Sequence, residues 1–147
     1  MKQRYLRSIR LLAESYHLFE QLSGADIRGS GLTPAQFDII ATLANTDGMS
    51  FKELGEKTLI TKGTLTGVIE RMVGKDLVTR VTSLEDRRSM TVHLTQKGQQ
   101  EFQRLFAPHI QFCKQPFAGY SEDDFAALER ELGKLKVHLN HIVSGLK

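Results

Sequence analysis

The chain has a single cysteine, Cys113, in 147 residues. No internal disulfide framework is available, and a reducing, cytoplasmic setting is expected. No apolar run approaches the roughly 20 residues that span a bilayer. The basic start MKQRYLR leads into neither an uninterrupted apolar stretch nor a small-residue cleavage site, so neither a membrane span nor a signal peptide is expected. There is no Gly-rich phosphate loop, no nucleophile motif and no Cys/His set of closed metal spacing, which argues against an enzyme and against a resident cofactor or metal. Internal repeats and low-complexity segments are also missing. Charge of one sign is scarce: the formal net charge is only +3, and Lys52 to Arg88 holds eight Lys/Arg against six Asp/Glu. A polyanionic partner is permitted, but placement rather than bulk charge must argue for it.

What is present is helical periodicity. From Arg4 to about Leu22, apolar Tyr5, Ile9, Leu12, Tyr16 and Phe19 recur by fours and threes, and Ser23-Gly24 is expected to end that helix. LTPAQFDIIATLAN opens with a capping Thr33, Pro34 at the first helical position and Gln36 placed to close a capping box. SFKELGEKTLI repeats the signal with Ser50 and Glu53 over a helix of about two turns. After a tight connection, Thr61 is expected to cap a third helix, whose Leu65, Val68, Ile69, Met72 and Val73 form one buried face. Its other face is small, hydroxylated and basic at the start: Lys62, Gly63, Thr64, Thr66, Gly67, Glu70 and Arg71. Two interior glycines cost a helix roughly 1 kcal/mol each relative to alanine, which points to close approach of another surface.

LVTRVT and MTVHL alternate and are β-branched, so they read as a hairpin whose connection is Ser83 to Ser89. Thr95 is expected to cap a helix to about Cys113 that kinks or breaks at Pro108. Ser121 and Asp124 start a last helix, in which Phe125, Leu128, Leu132, Leu135, Leu139 and Ile142 make an unbroken apolar seam. A short capped helix, a tight turn, a second helix and a hairpin form a winged helix-turn-helix. The chain is therefore expected to be mainly α with a small two- or three-stranded β wing. In such units the second helix enters the DNA major groove by its N-terminal end. The candidate DNA contacts are Ser50, Thr61, Lys62, Thr64, Thr66 and Arg71, with Arg87 and Arg88 at the hairpin tip and Asp86 paired to Arg88 to hold its rotamer.

The run DRRSMTVHLTQKG resembles the wing signature of MarR-family transcriptional regulators: an Asp-x-Arg tip (Asp86, Arg88), a short strand, then Leu94-Thr95-x-x-Gly98 opening a helix. The order of LTPAQFDIIATL, SFKELGEKTLITKGTLTGVIERM and LVTR is similar too, and the likeness spans about Arg4 to Val143. Asp76 departs from it, standing where the family usually has glycine. The resemblance implies a homodimer built by the terminal helices, with residues 1–30 and 99–147 dimerising and 31–98 binding DNA. The seams Tyr5, Ile9, Leu12 and Leu128, Leu132, Leu135, Leu139, Ile142 suit that role independently. It also implies a repressor released from a pseudo-palindromic operator by a small aromatic or amphipathic acid, with Arg10, Tyr16 and Phe37 as candidate ligand contacts. Two alternatives stand beside it. One is a winged-helix protein-interaction module. The other is a redox or metal sensor using Cys113, His109, His138 or His141.

Overall fold

The computed structural model describes residues 3–82 and 89–146. They form two compact units, one ending at Cys113 and one starting at Lys114. In the first unit the order is α1 (Arg4–Arg28), α2 (Pro34–Leu43), β1 (Met49–Ser50), α3 (Phe51–Thr58), α4 (Lys62–Gly74), β2 (Val78–Thr82), β3 (Met90–Leu94) and α5 (Gln96–Cys113). The second holds a 3-10 turn (Gln115–Phe117) and α6 (Glu122–Ser144). This is a mainly helical chain with a small antiparallel sheet, the winged helix-turn-helix architecture that the helix and hairpin signals predict.

α1 does not stop at Ser23-Gly24 but continues one and a half turns to Arg28. The reason lies outside the helix. Gly24 is buried beside the start of α2, where an added Cβ would meet Pro34 Cγ at an ordinary contact distance of 3.7 Å. The added turn carries Ile27, 2 % exposed, into the core. Burying such a side chain is worth about 1.5–3 kcal/mol, more than the roughly 1 kcal/mol a helical glycine costs.

α2 starts as its sequence dictates. Thr33 accepts the Gln36 N–H, and Gln36 Oε1 accepts the Thr33 N–H, each at 3.2 Å. Ile39, Ile40 and Leu43 then pack with Leu54, Leu65, Ile69 and Met72 from the next two helices. The sheet order is β1-β3-β2, with Val78 opposite Leu94 and Thr82 opposite Met90. β1 has only two residues, too few for any alternation to be read from sequence; its Met49 pairs with Val92, and both are buried.

The Leu94-Thr95-x-x-Gly98 run is explained by one contact cluster. Thr95 Oγ1 accepts the Gly98 N–H at 3.0 Å and donates to the Asp76 carbonyl at 2.5 Å, while the Thr95 N–H bonds the Leu77 carbonyl at 3.1 Å. The first turn of α5 is thereby drawn so close to β2 that a Cβ at Gly98 would overlap the Leu77 carbonyl oxygen. Asp76 itself has φ +58°, the left-handed conformation that glycine adopts freely. α5 runs through Pro108 without a break; the ring removes one backbone donor on an exposed face, where the freed carbonyl can meet water.

In the second unit, Ser121 accepts the Asp124 N–H at 3.1 Å and Asp124 accepts the Ser121 N–H at 2.9 Å, a complete capping box. Phe117, Tyr120 and Phe125 stack about the turn, with ring centroids 5.3–5.6 Å apart.

Candidate nucleic-acid interface

The site is built on α3, the turn after it and α4. Ser50 accepts the Glu53 N–H at 3.1 Å and so starts α3. Thr58 ends it: its hydroxyl donates to the Leu54 carbonyl at 2.6 Å and accepts the Ile60 N–H at 3.4 Å. Leu59 then takes a left-handed conformation, φ +60°, and is 79 % exposed. The chain reverses there, and α4 begins three residues later.

Thr61 stands at the N-cap of α4 but does not cap with its side chain. Its hydroxyl donates to Thr64 Oγ1 at 3.1 Å, so two hydroxyls satisfy each other instead of a backbone N–H. α4 buries Leu65, Val68, Ile69 and Met72 against the core, while Thr61, Lys62, Gly63, Thr64, Thr66, Glu70 and Arg71 all face solvent. Gly67 is half-buried beneath the guanidinium of Arg71. The α4 candidates are thus collected on one exposed helical face, with Ser50 one helix earlier. β2 and β3 form the hairpin behind them. Asp86, Arg87 and Arg88, read at its tip, lie outside the described residues.

Sequence reasoning passed over His93 on β3. Its ring occupies the space where a Cβ at Gly48 would stand, and it bonds Thr91 Oγ1 at 2.8 Å. Gly48 has φ +94°. Nothing in the local sequence announces the histidine over it.

The candidate ligand residues have different partners. Arg10 pairs with Glu14 at 2.6 Å on the surface of α1. Tyr16 is exposed and bonded to Glu20, and that bond and the carboxylate's charge hold its phenol above the ordinary range. Phe37 is buried edge-on to His109, 4.6 Å between ring centroids. His109 ties α5 to α1. Its Nδ1 lies 2.7 Å from Asp26 Oδ2, and since an ionised carboxylate only accepts, Nδ1 carries the hydrogen. Nε2 is left facing Ser23 Oγ at 3.3 Å and Cys113 Sγ at 3.5 Å. Burial pushes the Cys113 thiol up, partly opposed by a hydrogen bond with Ser23 and reinforced by the charge of Asp26. A raised thiol is a poor nucleophile at neutral pH. Among the described residues, no group of three or more His, Cys, Asp or Glu side chains could hold a metal ion.

The sequence profile of the MarR family matches residues 30–89, from just after α1 to the residue before β3. The HTH-type transcriptional regulator YsmB of Bacillus subtilis is 30 % identical over 105 residues, 71 % of this chain and 72 % of the relative. The chain belongs to the MarR family of transcriptional regulators. AbsC, a MarR-family regulator from Streptomyces coelicolor, superposes with a TM-score of 0.85 at 24 % identity, over 96 % of this chain and 97 % of that one, which shows the fold to be shared. BpsR of Bordetella bronchiseptica, whose DNA binding is regulated by 6-hydroxynicotinic acid, superposes with a TM-score of 0.78 at 26 % identity, over 88 % of this chain and 98 % of that one. The residues this MarR-family chain displays on α4 are its own and carry the functional reading that follows. No helix among the described residues is long and apolar enough to cross a membrane.

Proposed function

We propose that this MarR-family chain is a homodimeric repressor that binds double-stranded DNA and is released by a small aromatic or amphipathic acid. The observation that carries DNA binding is the sidedness of α4: four buried apolar residues on one face, and Lys62, Thr64, Thr66 and Arg71 exposed on the other. Short hydroxyls and Lys/Arg bond phosphates and base edges, and the Thr methyl can touch the thymine methyl. A protein-docking wing would offer apolar side chains at the same place. In this reading residues 31–98 hold the DNA, with Ser50 and Thr61 at the two helix starts and Asp86, Arg87 and Arg88 reaching the flanking groove.

Dimerisation is supported by apolar seams that remain exposed. On α1, Tyr5, Ile9 and Leu12 are 58 %, 59 % and 41 % exposed; on α6, Leu132, Leu135, Leu139 and Ile142 are 44 %, 40 %, 47 % and 60 % exposed. Leu128 heads the α6 row. So much periodic apolar surface calls for a partner helix, and two-fold pairing would set two α4 helices about one DNA turn apart. The effector class is supported by BpsR and its hydroxylated aromatic acid, with Arg10, Tyr16 and Phe37 as the proposed contacts. Such a ligand acts only through unequal affinity for the bound and released conformations.

The test is fluorescence anisotropy on duplexes selected from a randomised library, across a salt series. Affinity falls steeply with salt, and Lys62→Ala or Arg88→Ala weakens binding to every duplex and lowers the salt slope by about one unit per phosphate lost. A chain that ignores all duplexes in dilute buffer refutes the reading. Leu132→Lys with Leu135→Lys is expected to yield a monomer or an unfolded chain in sedimentation; a folded, intact dimer places the seam elsewhere.

A further inference from the structure

A Cβ built on Gly67 would stand 3.6 and 3.9 Å from the two terminal nitrogens of Arg71. The guanidinium therefore lies back over the glycine one turn upstream, in the direction helical side chains lean. One turn earlier still, Gly63 has no atom within 4 Å of its Cβ position. The exposed face of α4 is thus a shallow track, open at Gly63 and floored at Gly67 by bare backbone on which an arginine rests. Among the described residues, the Arg71 guanidinium has neither a carboxylate nor a hydrogen-bond acceptor, and neighbouring Glu70 is exposed and equally uncommitted.

We propose that Arg71 is the specificity-determining residue of this interface, reading a guanine in each half-site, and that Gly67 is the positioning residue that gives it its reach. The proposal rests on the DNA-binding reading above and names what that site recognises. Three observations favour a base edge over a phosphate. Folded back along the helix, the guanidinium sits on the surface that would face the groove floor, whereas a phosphate contact needs the side chain extended toward the groove wall. Glu70 on the same face would repel a phosphate row, yet a carboxylate can accept from a cytosine amino group. The planar fork, free of internal partners, matches the O6 and N7 acceptors of guanine, and arginine on guanine is the commonest specific contact in the major groove.

The experiment measures affinity for a selected duplex and for its single base-pair replacements at each position, with the salt slope recorded for every variant. Wild type is expected to prefer guanine at one position per half-site by about 5- to 150-fold. Arg71→Ala and Arg71→Lys abolish most of that preference and leave the salt slope unchanged. Gly67→Leu, which fills the space under the guanidinium, does the same with Arg71 still present. Melting curves establish folding, and the two Arg71 variants decide the question should Gly67→Leu unfold. A uniform loss across all duplexes with the slope reduced by about one makes Arg71 a phosphate contact and overturns the proposal. So does an unaltered preference. Wild type that binds no duplex overturns the DNA-binding reading itself, a different outcome from either.

Discussion

Replacing Gly98 by alanine exchanges a hydrogen for a methyl group, and the structure says the chain cannot take it. The new Cβ would overlap the Leu77 carbonyl oxygen and sit 3.1 Å from Leu94 Cδ2. The first of these is backbone and cannot rotate aside, so the first turn of α5 must withdraw from β2. Withdrawal strains the two hydrogen bonds that run from Thr95 to the carbonyls of Asp76 and Leu77. Each is worth about 1 kcal/mol net, and overpacking adds roughly 1–3 kcal/mol. Alanine's helix propensity returns about 1 kcal/mol. The balance is a destabilisation of about 2–4 kcal/mol, a large share of the 5–15 kcal/mol typical of a folded domain. Gly63→Ala is the internal control. No atom lies within 4 Å of its Cβ position, so the same change there is expected to stabilise by up to about 1 kcal/mol. Urea unfolding at matched protein concentration, followed by far-UV circular dichroism, reads both. Gly98→Ala as stable as wild type would show that α5 is not clamped to β2 in solution, and the account of the Leu-Thr-x-x-Gly run would fall.

Two further outcomes are expected. Asp76→Gly relieves a left-handed φ of +58° without touching the carbonyl that Thr95 bonds, and is expected to raise stability by about 0.5 kcal/mol, the strain relieved outweighing the added freedom of the unfolded chain; a loss of stability in urea unfolding contradicts this. The Cys113 thiol, pushed up by burial, should react with iodoacetamide more slowly in the native protein than in urea. Its share of stability is full below the ordinary thiol value of about 8.5 and fades as pH rises through the higher native value. Equal labelling rates in the two states would show the thiol to be unshielded.

The stretch of sequence itself determined every element that is started by its own residues. Thr33 with Gln36, and Ser121 with Asp124, close their capping boxes within four residues, and the apolar stripe of α4 is a property of 3.6-residue periodicity alone. The exposed polar face of α4 follows as its complement, so that part of the candidate site was legible too. Tertiary structure decided what depends on distant partners. α1 passes Gly24 because Ile27 has a core to fill. β1 exists because β3 pairs with it. His109 is held by Asp26, 83 residues away, and Thr95 by the Asp76 carbonyl, 19 residues away. Even Gly63 and Gly67 of α4, alike in sequence, part company in space: the first is open and the second lies beneath an arginine. Local propensities act over a turn or two of chain, whereas close backbone approaches and long-range hydrogen bonds come into being only when the folded chain brings their two sides together.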